Sequence, residues 1–324
     1  HSGERAIRSF FAEGAGSSLR TYTTADGQRL SDAEWADLTS FDGNANTLRL
    51  LTHRFNGRRE GGFVMTYATL AAVVKYPYTA TTTPKEGKFG FFQSERDTYL
   101  RIAGALGIPC TLTPDGVTAV RHPLVYLVEA ADDICYEVMD IEDAYKLRLL
   151  SADEALGLYL AFFSPDERRR LSAAYPETTS PGDRVAYCRS CVINALERAA
   201  VNVFVENEEA ILAGTFTGSL IDHMPEPLLS AYRHCERVAY ARIYNSREVT
   251  DIDLAGYRII YTLLELMTEA VLQPDKAYSR LLLQQVSAQY QLDAPRLIDR
   301  IMAVLDYVSG MTDVYALDLY RKLN

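Results

Sequence analysis

Apolar positions recur at three- and four-residue spacing over most of the chain, the period of amphipathic helices. GERAIRSFFAEG predicts a short helix stopped at Gly14. After a loop, SDAEWADL predicts a second, with Ser31 as N-cap and Glu34 three residues on, a capping box. ANTLRLLTHRF predicts a third helix ended by NGRREGG, and VMTYATLAAVVKY a fourth broken at Pro77. The threonine-rich YTATTTPKEGKFGFF, with Pro84 and two glycines, predicts irregular loop. SERDTYLRIAGALG returns to helix, and CTLTPDGVTAVRHP predicts a second loop that turns at PDG. From LVYLVEAADDICYEVMDIEDAYKLRLL onward almost everything is helical, with breaks at FSPDE, YPETTSPGD, MPEP and QLDAP. No fixed-period repeat or low-complexity segment interrupts this pattern. It predicts an all-α bundle built on a single core, one domain over residues 1–324.

Composition narrows the function classes. With 324 residues, 48% hydrophobic and 23% charged, the chain can bury a large core and is not a disordered tail. A net charge of −10, from 33 basic and 43 acidic residues, argues against a bulk electrostatic grip on nucleic acid. It leaves room for a local basic pocket that binds a small anion. Five cysteines at irregular spacing do not form a disulfide framework. The one C-x-x-C pair, Cys188 and Cys191, lies in a helical pattern with no second pair or nearby histidine, and reads as buried thiols. This usage fits a reducing cytoplasm. No apolar run approaches the roughly 20 residues that span a bilayer, and no signal peptide is visible.

The chemistry concentrates in EAADDICYEVMD, where two adjacent aspartates interrupt an apolar helix. Asp132, Tyr136 and Asp140 fall at i, i+4 and i+8, so they form one polar stripe that drifts only about 40° per step. Val128, Ile134 and Val138 are expected off that stripe and in the core, and Asp133 is expected to be a solvated or structural acid. Two readings of the stripe stay open on spacing alone. It is either a solvated or hydrogen-bonded face, or a face where Asp132 ligates a hard metal and Tyr136 and Asp140 meet a polar ligand.

The motifs HSGERAI, FDGNANTLRLL, TYATLAAVVKYP, KFGFFQSERD, HPLVYLVEAADDICY and YVSGMTDVYALDLYRKL resemble, in order and from residue 1 to residue 323, the deoxyguanosine triphosphate triphosphohydrolases. These belong to the HD-domain phosphohydrolases. The resemblance implies an HD-domain-like multi-helix bundle. It also implies a chain truncated at the N-terminus by roughly a hundred residues, because HSGE matches the end of the family's His-Asp segment. On that expectation the first histidine ligand and the His-Asp pair are absent, Asp132 is the one metal ligand left, and this chain alone turns over little.

Carried over motif by motif, His1 corresponds to the family's catalytic histidine and Glu4 to its acidic partner, one turn away and able to orient the imidazole. Asn44 matches an asparagine facing substrate phosphate, and is also a good N-cap residue. Lys75 and Tyr76 match a pair reaching the phosphates, although a lysine at a helix end is equally a dipole partner. Lys88 matches a further phosphate lysine. Tyr136 and Asp140 match residues that contact the deoxyribose at C2′ and at the 3′-OH. Arg121 and His122 fit the pattern with no role beyond the helix entry before Pro123, and His53, His223 and His234 read as structural.

The implied reaction is metal-dependent hydrolysis of dGTP to deoxyguanosine and tripolyphosphate, with a divalent cation, Mg or Mn, as cofactor. The family also implies a homo-oligomer and no membrane. Base selectivity, and activation by dNTPs or by single-stranded DNA, stay open. Two other functions remain beside it: an HD phosphohydrolase acting on several dNTPs or another nucleotide, and a non-catalytic helical nucleotide-binding or assembly module.

Overall fold

In the computed structural model the described residues are 2–85, 87–174 and 179–323. They form a mainly α-helical protein, as the periodicity predicts. The helices are α1 (Ser2–Ala12), α2 (Asp32–Thr39), α3 (Gly43–Thr52), α4 (Tyr67–Ala72), α5 (Arg96–Leu106), α6 (Pro123–Lys146), α7 (Ala152–Leu160), α8 (Pro165–Ala173), α9 (Pro181–Glu206), α10 (Glu208–Leu212), α11 (Leu228–Val238), α12 (Arg247–Leu272), α13 (Ala277–Gln284), α14 (Leu297–Ser309) and α15 (Asp313–Leu323). One antiparallel hairpin, β1 (Cys110–Thr113) and β2 (Gly116–Ala119), stands where the sequence predicts a loop. The chain divides into two compact units, residues 1–121 with 252–324, and residues 122–251.

Local signals account for many of the boundaries. Ser31 caps α2 through a complete capping box, its hydroxyl accepting from the Glu34 amide while Glu34 accepts from the Ser31 amide. Gly107 ends α5 in the left-handed conformation, φ 67°, that glycine adopts at little cost. α6 begins with Pro123 at its first turn and His122 as N-cap, whose Nδ1 accepts from the Leu124 amide. α4 is only six residues long, ending well before Pro77.

The first unit buries Ile7, Phe10 and Phe11 of α1 against Leu38, Phe41, Phe89 and Phe92. Leu263, Leu264 and Met267 of α12 and Ile301, Val304 and Leu305 of α14 complete this cluster. A second cluster gathers Leu48, Leu70, Val74, Phe91, Tyr99, Ile102 and Val117, with Phe91 and Tyr99 stacked at 4.2 Å. Val117 brings the hairpin into that cluster. The Val117 carbonyl accepts from the Thr79 amide and the Ala119 amide donates to the Pro77 carbonyl, so β2 is held to a segment about forty residues upstream.

The second unit is built on α6 and α9. Ala130, Ile134, Val138 and Ile141 of α6 meet Val185, Cys188, Val192, Leu196 and Val203 of α9, with Tyr159 and Cys235 closing the cluster. All five cysteines are free thiols; Cys188 is buried as expected, whereas Cys191 is only half-buried. Among the described residues no helix is long and apolar enough to cross a membrane.

Candidate active site

The polar stripe of α6 is present as a surface. Positions two residues apart on a helix lie about 200° apart, so Asp132, Tyr136 and Asp140 face away from the core stripe of Ile134 and Val138. Asp132 is exposed and Tyr136 is 66% exposed. Val128 corrects one expectation. It sits one turn before Asp132 on the same stripe, and is accordingly exposed rather than in the core. The Tyr244 hydroxyl donates to Asp140 Oδ2, which fixes that carboxylate. Burial, then this hydrogen bond to Asp140, raises the Tyr244 phenol above its ordinary range.

Beside the stripe lies a cavity of about 540 Å³, lined by Asp133, Tyr136, Glu137, Tyr232, Glu236, Arg237, Tyr240 and Tyr244. A π-helical turn, Ala239–Tyr244, follows α11 and presents Tyr240 and Tyr244 to it. Asp133 reaches the cavity wall, and its backbone carbonyl accepts from the Tyr232 hydroxyl at 3.2 Å. The sequence reading missed this wall. Its one local signal was a dense run of tyrosines in AYRHCERVAYARIY.

In the first unit, Glu4, Asn44 and Lys88 come together around a residue the sequence reading passed over, Asp42. Asp42 is fully buried, and it, not Asn44, is the N-cap of α3. Its Oδ1 accepts from the Asn44 amide at 3.1 Å, from Asn44 Nδ2 at 2.9 Å and from Lys88 Nζ at 3.5 Å. Its Oδ2 accepts from the Phe89 amide at 3.3 Å. Asp and Asn cap equally well, and FDGN offers both; the helix starts two residues earlier than the Asn44 reading required.

Glu4 Oε1 accepts from the Gly43 amide at 2.8 Å, while its Oε2 lies 3.8 Å from Arg8 and 3.9 Å from Lys88. Arg8 ties the cluster down, donating to the carbonyls of Phe41 at 2.6 Å and Gly87 at 2.7 Å. His1 lies outside the described residues.

Lys75 and Tyr76 form a second group, with Lys75 Nζ 5.9 Å and Arg121 Cζ 6.0 Å from the Tyr76 ring centroid. Lys75 stands three residues past the end of α4, too far to act as its dipole partner. The backbone brings this group alongside the Lys88 segment. The Gly90 amide donates to the Tyr78 carbonyl at 3.0 Å, and a Cβ at Gly90 would stand 2.1 Å from the Tyr76 carbonyl oxygen. Only glycine allows that approach.

Among the remaining histidines, His53 is half-buried and its Nδ1 lies 3.9 Å from Glu95. Burial, then the Arg49 guanidinium, lowers its pKa. Among the described residues no three His, Cys, Asp or Glu side chains come together as a metal site. The described residues therefore do not complete a ligand set around Asp132.

Comparisons with known proteins bear on the family of the chain. The profile described as "Phosphohydrolase-associated domain" matches residues 223–322. A deoxyguanosinetriphosphate triphosphohydrolase-like protein of Pseudomonas aeruginosa is 33% identical over all of this chain and 72% of that protein. A protein of the same description from Synechocystis sp. is 30% identical, again over all of this chain and 72% of its own length. The deoxyguanosinetriphosphate triphosphohydrolase of Yersinia pestis is 26% identical over 89% of this chain and 64% of that protein. The chain belongs to the deoxyguanosinetriphosphate triphosphohydrolase-like family of HD phosphohydrolases.

Proposed function

We propose that this chain carries the substrate-binding residues of a hydrolase that converts dGTP to deoxyguanosine and tripolyphosphate. The observation that carries the reading is the Glu4–Asp42–Asn44–Lys88 cluster. There a lysine ammonium and an amide donor are held in place by a fully buried carboxylate, in a chain whose whole length matches dGTPase-like proteins.

In this reading Lys88, Lys75, Tyr76 and Asn44 hold the triphosphate and stabilise the charge that develops on it. Water adds to the α-phosphorus, the bond to the 5′-oxygen breaks, and deoxyguanosine leaves with a proton. His1 moves that proton, oriented by Glu4, whose anchoring to the Gly43 amide supports the role. Tyr136 packs where a ribonucleotide carries its 2′-hydroxyl. Asp140, fixed by Tyr244, accepts from the 3′-OH, a contact that discriminates through hydrogen bonding. Asp132 would supply one ligand to the divalent cation implied by the family, which would polarise the α-phosphate there. Assembly into a homo-oligomer belongs to the same reading, and sedimentation measures it.

The test incubates the native gene product with dGTP and Mg or Mn and separates the products by anion exchange. Deoxyguanosine plus tripolyphosphate, lost in Asp132→Ala, is expected. Release of pyrophosphate or orthophosphate would move the attack to another phosphorus, and equal turnover of all four dNTPs would broaden the substrate class. No turnover of any dNTP would overturn the reading in favour of a nucleotide-binding module.

A further inference from the structure

The cavity of the second unit contains a carboxyl that the reading above does not use. Glu137 follows Tyr136 on α6, is 7% exposed, and lines the cavity. Its Oε1 has no hydrogen-bond partner among the described residues. Leaving a buried polar atom unpaired is costly. That oxygen is closed off from solvent, but Glu137 lines the cavity wall, and a carboxyl turned toward that space can recover the cost by meeting a ligand.

The walls suit a flat aromatic ring. Tyr136, Tyr232, Tyr240 and Tyr244 all line the space, and tyrosine offers large rigid faces for stacking. We propose that Glu137 is a specificity-determining residue whose carboxyl reads the hydrogen-bonding edge of a nucleobase seated among these tyrosines. The inference rests on the nucleotide reading above and assigns the base end of the substrate.

The charged surroundings decide what Glu137 offers. On α6 it is faced by Asp133 and Asp140, on α11 by Tyr232, Arg233, Cys235, Glu236 and Arg237, and on the π-helical turn by Tyr240 and Tyr244. Burial, then the Glu236 and Asp140 carboxylates, pushes the Glu137 carboxyl up to about 8, against the pull of Arg233. Glu236 itself pairs with Arg233 at 2.7 Å. At neutral pH Glu137 is therefore a neutral acid, with one O–H to donate and one oxygen to accept. That pair complements a base edge that sets an acceptor beside an N–H. Above the titration the donor is lost and a base acceptor meets a carboxylate instead.

The experiment measures binding of deoxyguanosine and the other three deoxynucleosides to the full chain, by calorimetry at pH 7 and pH 9, for wild type and Glu137→Gln. Glutamine keeps a donor and an acceptor at both pH values, and the ligand's own ionisation cancels in the ratio of the two proteins. The ratio of wild-type to variant Kd is expected to rise about tenfold between pH 7 and pH 9. An unchanged ratio, or no binding of any of the four nucleosides, overturns the proposal. Should Glu137→Gln not fold, Glu236→Gln takes its place. Removing that neighbouring charge should move the midpoint of the loss of binding to lower pH, and an unmoved midpoint overturns the proposal equally. A tenfold change without dGTP turnover would sink the catalytic reading alone; turnover with a flat ratio would sink this inference alone.

Discussion

Helix α3 carries two charged clusters of opposite character. Toward its C-terminal end Arg49 is 3% exposed and grips Asp306 with two parallel hydrogen bonds of 2.7 Å, while its third nitrogen donates to Glu95 at 2.9 Å and to Ser94 at 3.2 Å. At its N-terminal end Lys88 is 23% exposed and stands 3.5 Å from Asp42 and 3.9 Å from Glu4. The first cluster is closed, with every nitrogen of the fork committed and Asp306 held in the bidentate geometry that suits arginine. The second is held in place but loosely, so an incoming phosphate can compete for the ammonium. Charge on a buried helix thus serves two ends: where the geometry is sealed it holds the fold, and where the contacts are long and half-open it is available for binding.

The largest expected effect tests the sealed cluster. Arg49→Met leaves Asp306 and Glu95 buried without their cation, and should cost about 3–5 kcal/mol of unfolding free energy, measured by urea titration. A loss below about 1 kcal/mol would mean the network is not what holds α3 to α14.

Next, Lys88→Met should lower kcat/KM for dGTP about 100-fold, equivalent to roughly 2.7 kcal/mol, while leaving the urea midpoint nearly unmoved. A variant that unfolds as readily as Arg49→Met but keeps its activity would erase the distinction between the two clusters.

The smallest effect sharpens the boundary between them. Asp37 is buried, accepts from the Gln93 amide at 2.6 Å, and leaves Oδ1 without a partner among the described residues. Burial raises its carboxyl well above the ordinary value. Between the unfolded and folded titrations the folded state holds a proton the unfolded state has lost. Wild-type stability should therefore fall as pH rises through that window. Asp37→Asn, neutral at all pH, should remove the dependence and stabilise the protein by about 1 kcal/mol at pH 7. Parallel stability–pH curves for the two proteins would show that Asp37 is not the group responsible.

Legibility in the sequence tracks how local each cause is. The capping box at Ser31, the stop at Gly14 and the aspartate stripe of α6 are set by neighbours within a turn or two, and all three were readable. The hairpin was not: CTLT and GVTA pair with each other, and β2 is further held by Pro77 and Thr79, a non-local contact that the turn signal at PDG does not encode. Asp42 hid behind Asn44, two equally good caps two residues apart. The Arg49–Asp306 pair joins residues 257 positions apart, and nothing in LRLLT or VLDYV announces it. The tyrosine cavity depends on a π-helical turn, whose extra residue shifts Tyr240 and Tyr244 off the helical register that a period of 3.6 would assign. Spacing raised Asp132 as one of two open readings of its stripe, whereas Lys88 was singled out through the family resemblance alone.

The division of the chain into units has a consequence for its birth on the ribosome. The second unit is continuous in sequence, whereas the first is assembled from residues 1–121 and 252–324. Translation runs at roughly 5–20 residues per second, so Asp306, one of the two carboxylates that neutralise Arg49, emerges many seconds after the guanidinium it serves. Through that interval the nascent N-terminal helices expose the faces that α12 and α14 will later cover. The middle of the protein can reach its final form first, and the beginning must wait for the end.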